Sequence, residues 1–123
     1  MTERFGEICF AKSAEHAHWW PALIFDPRSF LHNAEVVDLA RRNLGKRYMV
    51  FFFENQEAFA AIPKTWIVTW EEGIEKDFDK GRSVRNASKN RKLQFQRAMD
   101  AAKMAFDDNS TETVESPRNS KDR

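Results

Sequence analysis

The feature that most constrains this 123-residue chain is a change of periodicity near Glu71. Before it, short apolar runs alternate or carry strand-forming residues and are separated by polar turns. After it, the apolar residues recur at helical spacing. Glu7–Lys12 alternates as a strand does. Trp20–Phe25 (WPALIF) is a second short run, ended by Asp26-Pro27. Arg47–Phe53 (RYMVFFF) is the strongest strand signal, and Ala58–Ile62 follows it across the polar turn Glu54–Glu57 until Pro63 stops it. Trp66–Trp70 reads as a short fifth strand. Between the second and third strands, Asn33 is placed to cap a helix over about 33–44, with Glu35 in its first turn and Gly45 just past its end. Ser88 or Asn86 is placed to start a long helix reaching about Phe106, with Leu93, Phe95, Ala98, Met99, Ala102 and Phe106 near one stripe. Five short strands followed by helices predict a mainly β architecture with C-terminal α, a small five-stranded barrel capped by a helical segment.

Eleven Phe and four Trp give one such domain ample apolar area for a core. Ordered chain is expected over 1–107: the barrel about 5–70, the inserted helix, and C-terminal helices about 71–107. The segment 108–123 (DNSTETVESPRNSKDR) has almost nothing to bury and is expected to be a disordered tail. A single cysteine, Cys9, excludes an internal disulfide framework and leaves too few ligands for a zinc knuckle; in its alternating strand it reads as a buried small hydrophobe. No apolar run approaches the roughly 18 residues of a membrane-spanning helix. The N-terminus lacks the apolar stretch of a signal peptide, so a soluble protein of a reducing compartment is expected. Four scattered glycines make no phosphate cradle, and no nucleophile, base and acid stand in a recognisable order. His16 and His18 beside Glu15 are a weak metal set. The expectation is a binding module without catalytic residues, metal or cofactor.

Net charge is +1, but it is unevenly spread. Residues 71–79 hold five acids against Lys76. Residues 80–103 hold eight cations (Lys80, Arg82, Arg85, Lys89, Arg91, Lys92, Arg97 and Lys103) against Asp100 alone, an excess of seven. Ion pairing along a helix wants mixed signs, so this run is better suited to phosphates than to itself.

Three stretches resemble the PWWP domain family, a branch of the Tudor-like barrels. Gly6-Glu-Ile-Cys-Phe-Ala-Lys12 is similar to its first strand, His18-Trp19-Trp20-Pro21-Ala22 to its signature, and Phe51-Phe52-Phe53-Glu54-Asn55 through Ile62-Pro63 to its third and fourth strands. They occur in family order and cover about residues 5–70. The resemblance implies a nuclear chromatin-reader module, monomeric within a larger chromatin or transcription protein. It would bind a methylated lysine, in the trimethylated form, of a histone H3 or H4 tail. A methylated ammonium is weakly hydrated and is held by the faces of aromatic rings. By resemblance the cage walls are Trp20 and Phe52. The family's usual loop aromatic falls on Ala17, which leaves His16 or His18 to complete the cage. Trp19 is a further candidate, though it is better suited to packing. Glu54, Asn55 and Glu57 would form the peptide rim. Lys12 and the cations from Lys80 to Arg97 would grip double-stranded DNA on the nucleosome. Phe51 and Phe53 alternate with Phe52 and are expected in the core. A second reading stays open: a nucleic-acid-binding or protein-interaction barrel whose incomplete cage does not function.

Overall fold

The computed structural model describes residues 4–15, 17–43, 45–54, 58–80 and 84–114, the last seven (108–114) as backbone. Five antiparallel strands form one sheet in the order β4-β3-β2-β1-β5. They are β1 (Ile8–Ala11), β2 (Trp20–Ile24), β3 (Tyr48–Phe52), β4 (Phe59–Ile62) and β5 (Ile67–Thr69). Among the described residues three α-helices accompany them: α1 (Ala34–Arg42), α2 (Trp70–Glu75) and α3 (Lys89–Val114).

The sheet must curl. Strands β4 and β5 lie at its opposite edges, and flat they would stand about 19 Å apart, four strand spacings. Only Pro63 and the 3-10 turn Lys64–Trp66 join them. Such a link reaches roughly 14 Å. The result is a curled half-barrel, the form taken here by the small five-stranded barrel expected from the sequence.

The alternation of β3 divides the core in two. Tyr48, Val50 and Phe52 enter the main cluster with Phe10, Trp20, Ile24 and Ile62. Met49 joins Phe25 and Val36 in a second cluster, with Phe51 and Phe59 packed against it under α1. Phe51, expected in the core, is itself only partly buried and packs against the edge of this smaller cluster. Phe53 is likewise partly buried, edge-to-face on Phe51 at 5.5 Å. Strand β1 is buried at all four positions rather than alternately, because helices cover its second face. Phe10 stacks on Trp70 of α2 at 5.1 Å, and Trp70 stacks in turn on Phe106 of α3 at 5.4 Å.

The helix starts follow from side-chain caps. Asn33 Oδ1 accepts from Val36 N at 3.2 Å, Thr69 Oγ1 from Glu72 N at 3.0 Å, and Ser88 Oγ from Arg91 N at 3.1 Å. Phe95, Ala98, Met99 and Ala102 form the buried stripe of α3. Leu93 does not belong to it and is 53% exposed. Two residues before Phe95, it sits about 200° around the helix, on the far side. The α3 backbone continues to Val114, past the boundary at 107 set by composition. Extending a helix costs far less than starting one, so polar residues can follow an anchored stripe. Residues 115–123 of the expected tail lie outside the described residues.

Candidate functional site

Strand register brings the two expected cage walls together. Ala22 of β2 pairs with Phe52 of β3. Trp20, two residues before Ala22, lies on the same face and diagonal to Phe52. Ala22 itself is fully buried. A cavity of about 130 Å³ meets both rings, lined by Trp20, Phe52, His18 and Arg91, with Ser13 and Ala17 from the loop before the signature. Ala60, paired with Val50, leaves room on the β4 side. Phe59 also touches the cavity, but its ring is engaged with Phe25 at 5.6 Å and Phe51 at 5.6 Å in the second cluster.

Trp20 is only 1% exposed and Phe52 3%. The Trp20 indole Nε1–H donates to Phe53 O at 2.7 Å, and Phe95 meets its ring edge-to-face at 5.3 Å. The guanidinium carbon of Arg91 lies 4.2 Å from the Trp20 ring centroid. Arg91 Nη1 donates to Gln94 Oε1 at 3.0 Å, and Gln94 Nε2 donates to Glu54 O at 2.6 Å. Glu54, whose carbonyl accepts that bond, takes a positive φ of 50°.

The other expected residues are distributed differently. Trp19 leaves the cavity: it stacks on Phe78 at 5.3 Å, and Lys12 Nζ lies 5.2 Å from its ring and 5.9 Å from that of Trp66. Lys12 also donates to Glu15 O at 2.9 Å. His18 reaches the cavity wall, whereas His16, Asn55, Glu57 and Arg82 lie outside the described residues. Lys80, Arg85 and Lys92 line a second, shallow hollow of about 350 Å³ beside Phe95. Lys80 also pairs with Asp77 at 3.7 Å. Lys89, Arg97 and Lys103 are exposed along α3. Arg91 is set apart from these cations by its place over Trp20. Sequence reasoning missed Ser13, Ala60 and Gln94. Only Ala60 had a signal, its alternation with the apolar neighbours of β4.

Among the described residues, no three His, Cys, Asp or Glu side chains group as a metal site. Burial pushes the Cys9 thiol up to about 12, consistent with a packed rather than reactive cysteine.

A curled five-stranded sheet closed by a C-terminal helix, with an aromatic-lined cavity at its signature strand, defines a small barrel of the reader type. The chain belongs to the PWWP domain family, whose pattern it matches over residues 6–107. Its fold is similar to the solution structure of the second PWWP domain of WHSC1L1 protein, with a TM-score of 0.57 and 23% identity. That match covers 94% of this chain and 90% of the other. The crystal structure of WHSC1L1-PWWP2 matches with a TM-score of 0.49 and 24% identity, over 92% of this chain and 97% of that one. No curated protein matches by sequence. PWWP domains are non-enzymatic chromatin-reader modules that generally bind methylated lysine and DNA, and their proteins are typically nuclear.

Proposed function

We propose that this domain reads a methylated lysine, in its trimethylated form, from a histone H3 or H4 tail, and steadies itself on nucleosomal DNA. The observation that carries the reading is the Ala22–Phe52 pairing, which sets two aromatic rings at one cavity of about 130 Å³. Trp20 and Phe52 are the walls, with His18 beside them and His16 the remaining loop candidate. Glu54, just past β3, is the rim residue, with Asn55 and Glu57, which lie outside the described residues, as the further rim candidates by resemblance. A trimethylammonium gains more from ring faces than a hydrated ammonium does, because it gives up less water.

DNA contact is assigned to Lys12, Lys80, Arg82, Arg85, Lys89, Lys92 and Arg97. Lys12 follows β1 and Arg82 lies outside the described residues; the others lie along α3 or in the segment before it, and such cations neutralise phosphates without reading sequence. The domain acts as a monomeric module of a nuclear chromatin or transcription protein. Arg91 over Trp20 favours a second reading, in which the cavity stays shut and DNA is the only ligand.

Titrating a trimethylated histone peptide and a short DNA duplex separately, by NMR, tests both. Peptide-induced shifts of the Trp20 indole and of Phe52 support the reader. Shifts confined to 80–103 with DNA, and none with any trimethylated peptide, refute it and leave the second reading.

A further inference from the structure

The Trp20 face is already occupied by a cation. We propose that Arg91 is a resident ligand of the cage: its guanidinium holds the position a methylated ammonium needs, and the ligand enters only when Arg91 swings out. This rests on the reading of the cavity as a methyl-lysine cage.

Three observations support the assignment. The guanidinium lies 4.2 Å from the ring centroid, well inside the range of a cation–π contact. Arg91 also lines the cavity shared by Trp20 and Phe52, so the contact is within the site and not on an outer surface. It is held in place at a second point, since Gln94 accepts from Arg91 and donates to Glu54 O on the turn beside the site. Among the described residues, no carboxylate lines the cavity, so the ring face is the counterpart of this charge there. A guanidinium is planar and weakly hydrated, and it therefore imitates a methylated ammonium better than lysine would.

Two cations cannot share one ring face. The apparent affinity for an external cation is then the intrinsic affinity scaled by the fraction of molecules in which Arg91 has left. A partly exposed cation–π contact keeps the ring covered in most molecules. Removing it should tighten binding about three- to sixfold.

The experiment uses tetramethylammonium chloride as the probe, titrated into wild type, Arg91→Met and Gln94→Ala and followed by the Trp20 ring signals, with sodium chloride as the ionic control. Arg91→Met keeps the apolar stem and removes the charge. It should bind about three- to sixfold more tightly, and Gln94→Ala, which only loosens the tether, should shift the same way by less. Equal or weaker binding by Arg91→Met, with the probe still seen at Trp20, overturns the resident-ligand assignment and leaves the cage reading standing. No response at Trp20 in any of the three proteins refutes the cage reading itself. A readout without any ligand accompanies these. In wild type, the Arg91 side-chain protons should show an upfield ring-current shift that the other arginines lack. Ordinary arginine shifts there overturn the proposal whatever the probe does.

Discussion

Trp20 donates its indole N–H to the backbone oxygen of Phe53, 33 residues further along the chain, at 2.7 Å. That bond ties the first residue of β2 to the residue just past β3. It fixes the plane of the ring that faces the cavity. Position and recognition are therefore coupled in one side chain, and the usual alanine test would confuse them.

Trp20→Phe separates the two. It keeps a ring face and removes the N–H, leaving Phe53 O without its partner. We expect a loss of about 1–3 kcal/mol in unfolding free energy, against roughly 3–5 kcal/mol for Trp20→Ala. Urea unfolding of both variants checks the difference. No loss in Trp20→Phe would mean that the indole hydrogen bond adds nothing to stability, and equal losses in the two variants that the ring kept in Trp20→Phe adds nothing beyond that bond.

Arg91 and Lys92 are neighbours in sequence but should respond differently to DNA. Removing a side chain that neutralises one phosphate should flatten the plot of log affinity against log salt by about 0.9. Lys92→Ala and Arg85→Ala, which remove cations from the same hollow, should each do so. Arg91→Met should leave the slope nearly unchanged, since its guanidinium is held on Trp20. A binding series at three or four salt concentrations decides it.

Gly73→Ala would ordinarily strengthen a helix by up to about 1 kcal/mol. Here a Cβ on Gly73 would stand 2.2 Å from Phe10 Cδ2, inside a ring that is fully buried. Overpacking of this kind costs about 1–3 kcal/mol. Thermal unfolding should therefore show a lower Tm for Gly73→Ala; a higher one would mean that α2 does not press on β1.

Cys9 gives a pH dependence with a definite sign. Burial raises its thiol from 9.0 to about 12 in the folded protein. Between those values the unfolded chain loses the proton and the folded one keeps it. The contribution to stability is full below pH 9 and declines as pH rises toward 12, by at most about 1.4 kcal/mol per pH unit. Cys9→Ala removes this term, so its unfolding free energy should fall less steeply above pH 9. Parallel curves for the two proteins would contradict the burial of the thiol.

Three of the five strands were legible from a physical punctuation: Asp26-Pro27 after β2, the polar turn after β3, and Pro63 after β4. The caps at Asn33 and Ser88 were legible for the same reason, a short polar side chain placed just before an apolar stripe. The convergence of Trp20 and Phe52 needed register, which the resemblance supplied and composition could not. Arg91 was readable only as one cation among eight. Its pairing with Trp20 spans 71 residues and depends on how α3 crosses β2, which no local pattern encodes. The double coverage of β1 was hidden likewise, because alternation predicts one wet face wherever the covering helix comes from a distant part of the chain.

The strand order also sets a timetable. β1 pairs with β2, β2 with β3 and β3 with β4, so that meander can assemble as the chain is made. β1 has a second partner, and it arrives late: Cys9 pairs with Thr69, 60 positions on. Until then the first strand keeps an open edge. Closing that pair is the long-range step of folding, with the largest loop entropy to overcome. The short hinge of Pro63 and Lys64–Trp66 shortens the search, because it delivers β5 from one edge of the curled sheet directly to the other. A longer or glycine-rich hinge would keep the native pairings intact and slow the final closure.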